Sequence, residues 1–349
     1  VNIERLSRIP AIMEMPYNDI IRKFIDMYAG RLRNQVSFML SACNFYMPIF
    51  EEALDAYGLP LELRYLPIIE SALNPSAVSR AGASGLWQFM IGTGKIYGLE
   101  SNSLVDERRD PIKATWAAAR YLKEMYDIYG DWNLVIAAYN CGPGTINKAI
   151  RRANGETDYW KIYNYLPKET RGYVPAFIAA NYVMTYYCDH NICPMETNIP
   201  ASTDTVQVNK NLHFEQIADL CNVPLDQIKS LNPQYKKQMI PGDSKPYTLR
   251  LPIDAISTFI DKQDTIYAHR ADELFRNRKT VAVKEITPST RKTATAVAGK
   301  GKLTYYTIKS GDTLSTIAGK YGVTIKDIQR WNGMSNTKIA AGKRLKIYK

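Results

Sequence analysis

Apolar residues recur at three- and four-residue intervals through the first 200 positions, and they never alternate singly over a sustained stretch there. That spacing is the period of amphipathic helices. Ile20, Ile21, Phe24, Ile25 and Tyr28 share one helical face, opened by Pro16-Tyr-Asn-Asp and closed near Gly30. A second helix is expected from about Asn34 to Tyr57, with Gly58 as its stop and Pro60 opening the next. Asp110-Pro111 reads as an N-cap and a first-turn proline. The helix behind it carries Trp116, Ala119, Leu122 and Tyr126 and ends at Tyr129-Gly130. Asp131 caps a short apolar helix from Asn133 to Asn140, which Gly142-Pro143-Gly144 terminates. The pattern predicts an all-helical domain over residues 1–200.

The rhythm then changes to a repeat. Val206-Gln-Val208 aligns with Tyr306-Thr-Ile308 at an offset of 100 residues, and the match runs on without a gap. Phe214 meets Leu314, Ile217-Ala218 meets Ile317-Ala318, Ile228 meets Ile328, and Asn232 meets Asn332. Each copy closes on a strand-like run, Tyr247–Leu251 or Arg344–Tyr348, and reads as strand, helix, helix, strand. The fold class expected is therefore α+β and multidomain. It has a helical domain at 1–200, small βααβ modules at 201–252 and 303–349, and a helical segment with a basic flexible linker at 253–302.

Charge sharpens this division. The net charge of +11 invites a nucleic-acid reading, but residues 1–269 hold 27 Lys+Arg against 29 Asp+Glu, and residues 270–349 hold 18 against 5. The basic character belongs to the linker and last module, which suits steering or tethering on an anionic surface. The linker lacks the aromatic residues interleaved with charge that nucleic-acid binding would call for. No apolar run approaches the roughly 20 residues of a membrane helix. Three scattered histidines, His190, His213 and His269, argue against a metal site, and no cofactor motif is present. Gly92-Thr-Gly94-Lys95 fails as a phosphate loop because the earlier glycine and the following Ser/Thr are missing. The five cysteines form no CxxC pair. Buried or free thiols are the first reading, with a local Cys188–Cys193 disulfide as the alternative in an oxidising compartment.

The densest unusual pattern lies at residues 60–94. Pro67 restarts a helix, and Glu70 follows Ile68 and Ile69 within one turn. A carboxyl among apolar side chains holds its proton to higher pH, which suits a general acid. Asn74-Pro75 ends that helix, and Gly82–Gly85 makes a tight turn that brings backbone close to something. Trp87, Phe89 and Met90 beside Gln88 offer apolar surface of the kind a sugar ring accepts. On residue chemistry alone, a surface or capping glutamate is the competing reading of Glu70.

The run Glu70-Ser71-x-x-Asn74-Pro75-x-Ala77-x-Ser79-x-x-Gly82-Ala-x-Gly85-Leu-Trp87-Gln88 resembles the signature of the lytic transglycosylases, lysozyme-like enzymes that cleave bacterial peptidoglycan. Ala138-Tyr139-Asn140-Cys-Gly142-Pro143-Gly144 and Glu169-Thr170-Arg171-Gly-Tyr173-Val174-Pro175 match its second and third motifs in order. Trp87 stands where the wider family often has Met, as in the D-type subfamily. The two repeats resemble lysin motif (LysM) modules, which bind N-acetylglucosamine. The first departs from the pattern, with Asn211-Leu212-His213 in place of Gly311-Asp312-Thr313.

The resemblance implies a lysozyme-like fold over 1–200 and cleavage of the bond between N-acetylmuramic acid and N-acetylglucosamine by a single acid/base, Glu70, with a 1,6-anhydro product. It implies substrate contacts from Ser79, Gln88, Met90, Tyr139, Asn140 and Tyr173, with Ser71 nearer to an orienting role. Gly311, Asp312, Thr313, Leu314 and Asn332 would form the glycan-binding part of the last module. The partner expected is the peptidoglycan strand, with no nucleic acid, no cofactor and a monomeric chain. The location expected is the periplasm or cell envelope. An export signal and any lipid anchor would lie outside this chain. A hydrolase using water, and a wall-binding scaffold without activity, are the readings to be separated from this one.

Overall fold

The computed structural model describes residues 2–276, 303–309, 311–334, 336–337 and 339–348. The expected linker at 279–302 lies outside the described residues. Two compact units divide the chain, residues 1–286 and 287–349.

Local capping chemistry sets the helices of the first 200 residues. The Asn18 side chain accepts from the Ile20 and Ile21 amides at 3.0 Å each and starts the helix Asp19–Ala29, which stops at Gly30. Asp110 accepts from the Ile112 and Lys113 amides at 3.0 Å, with Pro111 in the first turn of Pro111–Tyr129. Asp131 caps Trp132–Cys141 through the Leu134 amide at 2.8 Å. That helix is buried from Asn133 through Ala138. It lies in the middle of the domain, packed by Pro111–Tyr129, Pro143–Arg152 and Lys168–Thr185. A long helix, Arg33–Ala56, carries Pro48 within it. Lys168–Thr185 packs along Asp19–Ala29 so closely that a Cβ on Gly172 would meet the Phe24 ring at 3.2 Å. Among the described residues of this domain, β pairing is limited to isolated bridges such as Val78–Ser84 and Ser84–Phe89.

The first repeat pairs Thr203–Val208 antiparallel with Tyr247–Pro252 around two helices, Phe214–Cys221 and Leu225–Leu231. It adds a second short pair, Asn211–His213 with Met239–Pro241. The helices Ile253–Asp261 and Gln263–Ala268 contribute Ala255, Phe259 and Ile266 to the same core, so the expected boundary at 252 falls inside one hydrophobic cluster. The sequence reading places this segment with the linker, but its apolar face is buried on the module. In the second unit, Leu303–Thr307 pairs with Arg344–Tyr348 around the helices Leu314–Tyr321 and Ile325–Trp331, a plain βααβ module.

One device recurs in both modules. The Asn232 amide donates to the Ile228 and Arg250 carbonyls and accepts from the Arg250 amide, at 2.8–2.9 Å. Asn332 does the same with Ile328 and Lys346, at 2.7–2.9 Å. Each asparagine ties the end of the second helix to the closing strand.

Candidate active site

Glu70 sits in the last turn of a short helix, Leu66–Ser71, whose first turn contains Pro67. The chain leaves that helix through two left-handed non-glycine residues, Ala72 at φ 51° and Leu73 at φ 57°. Such backbone is costly, and the packing around it must hold it. Buried Leu73 supplies part of that hold. Gln88, on the facing loop, is also left-handed at φ 50°. Three strained positions thus gather around one carboxyl.

That carboxyl is half-buried at the wall of a cleft of about 420 Å³. Desolvation pushes its pKa from 4.5 up to about 7. The Tyr173 hydroxyl donates to Glu70 Oε1 and pulls the value back, while the nearby Glu169 charge pushes it up. Burial, together with the Glu70 charge, holds the Tyr139 and Tyr173 phenols well above their ordinary pKa. Both tyrosines therefore stay protonated and able to donate. Glu70 is the one carboxylate among the residues lining the cleft.

The predicted site residues divide into groups. Ser71, Ser79 and Gln88 line the cleft with Glu70. The Ser71 hydroxyl is already engaged with the Pro67 and Leu86 carbonyls, at 2.9 and 3.0 Å. It joins the Glu70 helix to the facing loop, which is an orienting task. Ser79 Oγ accepts from the Ala83 amide at 3.0 Å. The Gln88 amide nitrogen donates to the Ala77 and Gly85 carbonyls, at 3.2 and 2.8 Å. Its Oε1 has no protein partner among the described residues. Tyr173 reaches Glu70 directly. Tyr139 donates to the Trp87 carbonyl at 2.6 Å, and Asn140 Oδ1 accepts from Thr170 Oγ1 at 2.9 Å. Met90 is 46% exposed at the start of the Ile91–Ile96 helix and is not on the cleft wall.

One reading of the motif is corrected and another is sharpened. Trp87 and Phe89 are core residues, 0% and 3% exposed, and offer no surface to a ligand. Trp87 Nε1 donates to Thr115 Oγ1 at 2.9 Å, and its ring meets Phe50 edge-on. Likewise the close approach at Gly85 is made to protein. A Cβ there would lie 1.8 Å from the Arg108 carbonyl oxygen. In the last module, Leu314 is 2% exposed and belongs to the core, and Asn332 is spent on the strand tie described above. Asp312 accepts from the Tyr306 hydroxyl and the Lys309 amide at 2.8 Å each. Thr313 caps Leu314–Tyr321, and Gly311 has φ 89°.

Sequence reasoning missed the wall contributed by Tyr28, Gln35 and Met39 from the first two long helices. Nor did it foresee the burial of Asp106 and Arg108, which are 1% and 5% exposed. Arg108 donates to both Asp106 oxygens, Nε at 2.9 Å and Nη2 at 2.8 Å, and its Nη1 reaches the Gly82 and Phe89 carbonyls at 2.8 and 2.9 Å. The spacing Asp-x-Arg was visible, but nothing in it announces burial.

Comparison with known proteins accounts for this arrangement. The Transglycosylase SLT domain matches residues 47–162. The LysM-like domain of lytic transglycosylase MltD matches 202–268, and the LysM domain matches 306–347. The membrane-bound lytic murein transglycosylase D of Escherichia coli K12 is 32% identical over 341 residues, covering 96% of this chain and 70% of the relative. The chain belongs to the membrane-bound lytic murein transglycosylase D family. A soluble lytic murein transglycosylase of the same organism is 33% identical over 124 residues, covering 34% of this chain and 19% of the relative. The 70 kDa soluble lytic transglycosylase of Escherichia coli, a solved structure, aligns over 41% of this chain and 24% of its own at 29% identity and a TM-score of 0.36. The match to 202–268 takes in the helices packed behind residue 252.

Proposed function

We propose that this lytic transglycosylase cleaves the β-1,4 bond between N-acetylmuramic acid and N-acetylglucosamine in peptidoglycan and leaves a 1,6-anhydro end. The observation that carries the reading is Glu70, the single carboxylate lining the cleft, with its pKa raised to about 7. Glycosidases that use water employ two carboxylates flanking the bond, about 5–9.5 Å apart. Glu169 raises the Glu70 pKa, but it is exposed and is not among the lining residues.

One group then serves twice. Protonated Glu70 gives its proton to the glycosidic oxygen as the bond to the anomeric carbon breaks. The muramic acetamido oxygen closes on that carbon and carries the positive charge as an oxazolinium ion. Ionised Glu70 takes the proton of the 6-hydroxyl, whose oxygen attacks the anomeric carbon and reopens the five-membered ring. No water is consumed, and the intramolecular nucleophile has a high effective concentration. A pKa near the working pH serves both halves. Tyr173 steadies the ionised form through its hydrogen bond. Ser79 and the Gln88 Oε1 face the substrate's polar groups from the cleft wall, and Tyr139 and Asn140 support the loop and helix around Glu70.

The module at 303–349 would hold the enzyme on glycan, with Gly311–Thr313 as the contacting turn. Its own 9 Lys+Arg against 2 Asp+Glu suit an anionic wall. The location that follows is the cell envelope, on the periplasmic side. Among the described residues no helix is long and apolar enough to cross a membrane.

The test is mass spectrometry of the products released from isolated peptidoglycan. Anhydro ends are expected. Hydrated reducing ends would establish a hydrolase, and no release would leave a wall-binding scaffold.

A further inference from the structure

The segment between the helices Ile91–Ile96 and Pro111–Tyr129 does not stay within the helical domain. Leu104 and Val105, 3% and 1% exposed, are members of the first module's hydrophobic core, together with Phe214, Tyr235 and Ile240. Their backbone pairs with the module as a strand would. The Asp106 amide donates to the Gln234 carbonyl at 2.9 Å, and the Lys236 amide donates to the Leu104 carbonyl at 2.8 Å. Lys236 Nζ reaches the Asn102 carbonyl at 2.6 Å, and Lys245 pairs with Glu100 at 2.6 Å.

The same segment holds the loop opposite Glu70. Asp106, fixed by the module through its amide, fixes Arg108 through its carboxylate. Arg108 Nη1 then binds the carbonyls of Gly82 and Phe89, which bracket the loop. Arg109 Nε adds a bond to Ser84 Oγ at 3.1 Å. Inside that bracket lies Gln88, held at a positive φ that its own side chain does not favour.

We propose that the first module is a brace for the active-site loop: it positions Gln88 through Asp106 and Arg108. The module's own turn also differs from that of the last module. At the place of Gly311-Asp312-Thr313, it buries Leu212 completely and uses His213 to cap the Phe214–Cys221 helix. The neighbouring Gln216 amide binds the Tyr267 and His269 carbonyls, which ties the module's own C-terminal helices beside this turn, where Asn211 and Tyr267 line an open cleft. Arg108 is a positioning residue, since it does not line the cleft.

The proposal rests on the reading of Gln88 as a substrate contact, so the test includes a readout independent of activity. In the full chain, Leu104→Ala/Val105→Ala is compared with the unaltered protein by amide hydrogen exchange. Turnover is measured on a soluble tetrasaccharide fragment too short to engage the last module. The amides of Ser84, Gly85 and Gln88 should exchange at least tenfold faster, with those of Trp132–Cys141 unchanged. Turnover of the fragment should fall at least tenfold in kcat/KM, with the alkaline limb of its pH profile unmoved, because Glu70 is untouched. Unchanged loop exchange and turnover would overturn the brace, and so would exchange rising equally in every helix. If the double variant does not fold, Arg108→Lys tests the same link. It keeps the charge on Asp106 but cannot reach both carbonyls, and loop exchange equal to wild type would again overturn the proposal. Faster loop exchange in a chain whose unaltered form cleaves nothing would instead count against the enzymatic reading and leave the brace standing.

Discussion

Replacing Glu70 by Gln should remove cleavage and, above neutral pH, make the protein more stable. The folded state raises the Glu70 pKa from 4.5 to about 7, so folding favours the protonated carboxyl. Below pH ~4.5 both folded and unfolded chains carry the proton, and the site costs nothing. As pH rises from there to about 7, the unfolded chain releases its proton while the folded chain keeps it. Stability falls across that window by as much as ~1.4 kcal/mol per pH unit. Above pH ~7 the loss levels off at roughly 3 kcal/mol. A glutamine cannot ionise and still accepts from Tyr173, so the variant should escape this penalty. Chemical denaturation of both proteins from pH 4 to pH 8 measures the difference directly. It should be near zero at pH 4 and approach ~3 kcal/mol in favour of the variant at pH 8, on the order of 5–10 °C in melting temperature. A stability difference that does not change with pH would refute the argument, because the carboxyl would then have no raised pKa in the folded state. The destabilisation is the cost of keeping an acid protonated in a partly dry site.

Tyr173→Phe removes the donor that favours the ionised carboxyl, so the alkaline limb of kcat/KM should move to higher pH, with kcat lower by about tenfold; an unshifted pH profile counts against the contact. Gly85→Ala forces a Cβ against the Arg108 carbonyl at a φ of +88° and should destabilise the catalytic unit by at least ~3 kcal/mol, read by thermal melting. Asn332→Ala should loosen the last module by about 2 kcal/mol, since two hydrogen bonds to the closing strand and one to the Ile328 carbonyl are lost. Glycan affinity of that variant should fall only as far as the module unfolds, and a larger drop in the folded module would return Asn332 to the binding surface.

The helices were legible in the sequence because their signals are local. Asn18, Asp110 and Asp131 each cap a helix within three residues of themselves, and Gly30, Gly130 and Gly142 stop one just as locally. The repeat was legible because two copies of one pattern confirm each other, down to the asparagine that ties helix to strand. Glu70 was legible through its motif, and its neighbours Ser71, Ser79 and Gln88 came with it to one cleft wall.

What failed was the direction in which side chains face. Trp87 and Phe89 suit a sugar platform and a hydrophobic core equally well by composition. Thr115 and Phe50, 28 and 37 positions from Trp87, and the rings of Tyr97, Tyr121 and Tyr139 around Phe89, decide for the core. Gly85 announced a close approach and could not say to what. The charged stretch after residue 252 hid an apolar face that the module buries. Leu104, Val105 and the Asp106–Arg108 pair gain their meaning from Gln234, Tyr235 and Lys236, some 130 residues on. Sequence fixes elements through contacts made within a few residues. Burial, and with it the raised pKa of Glu70 and the bracing of the loop it faces, depends on which distant segments are packed together. Only the tertiary structure decides that.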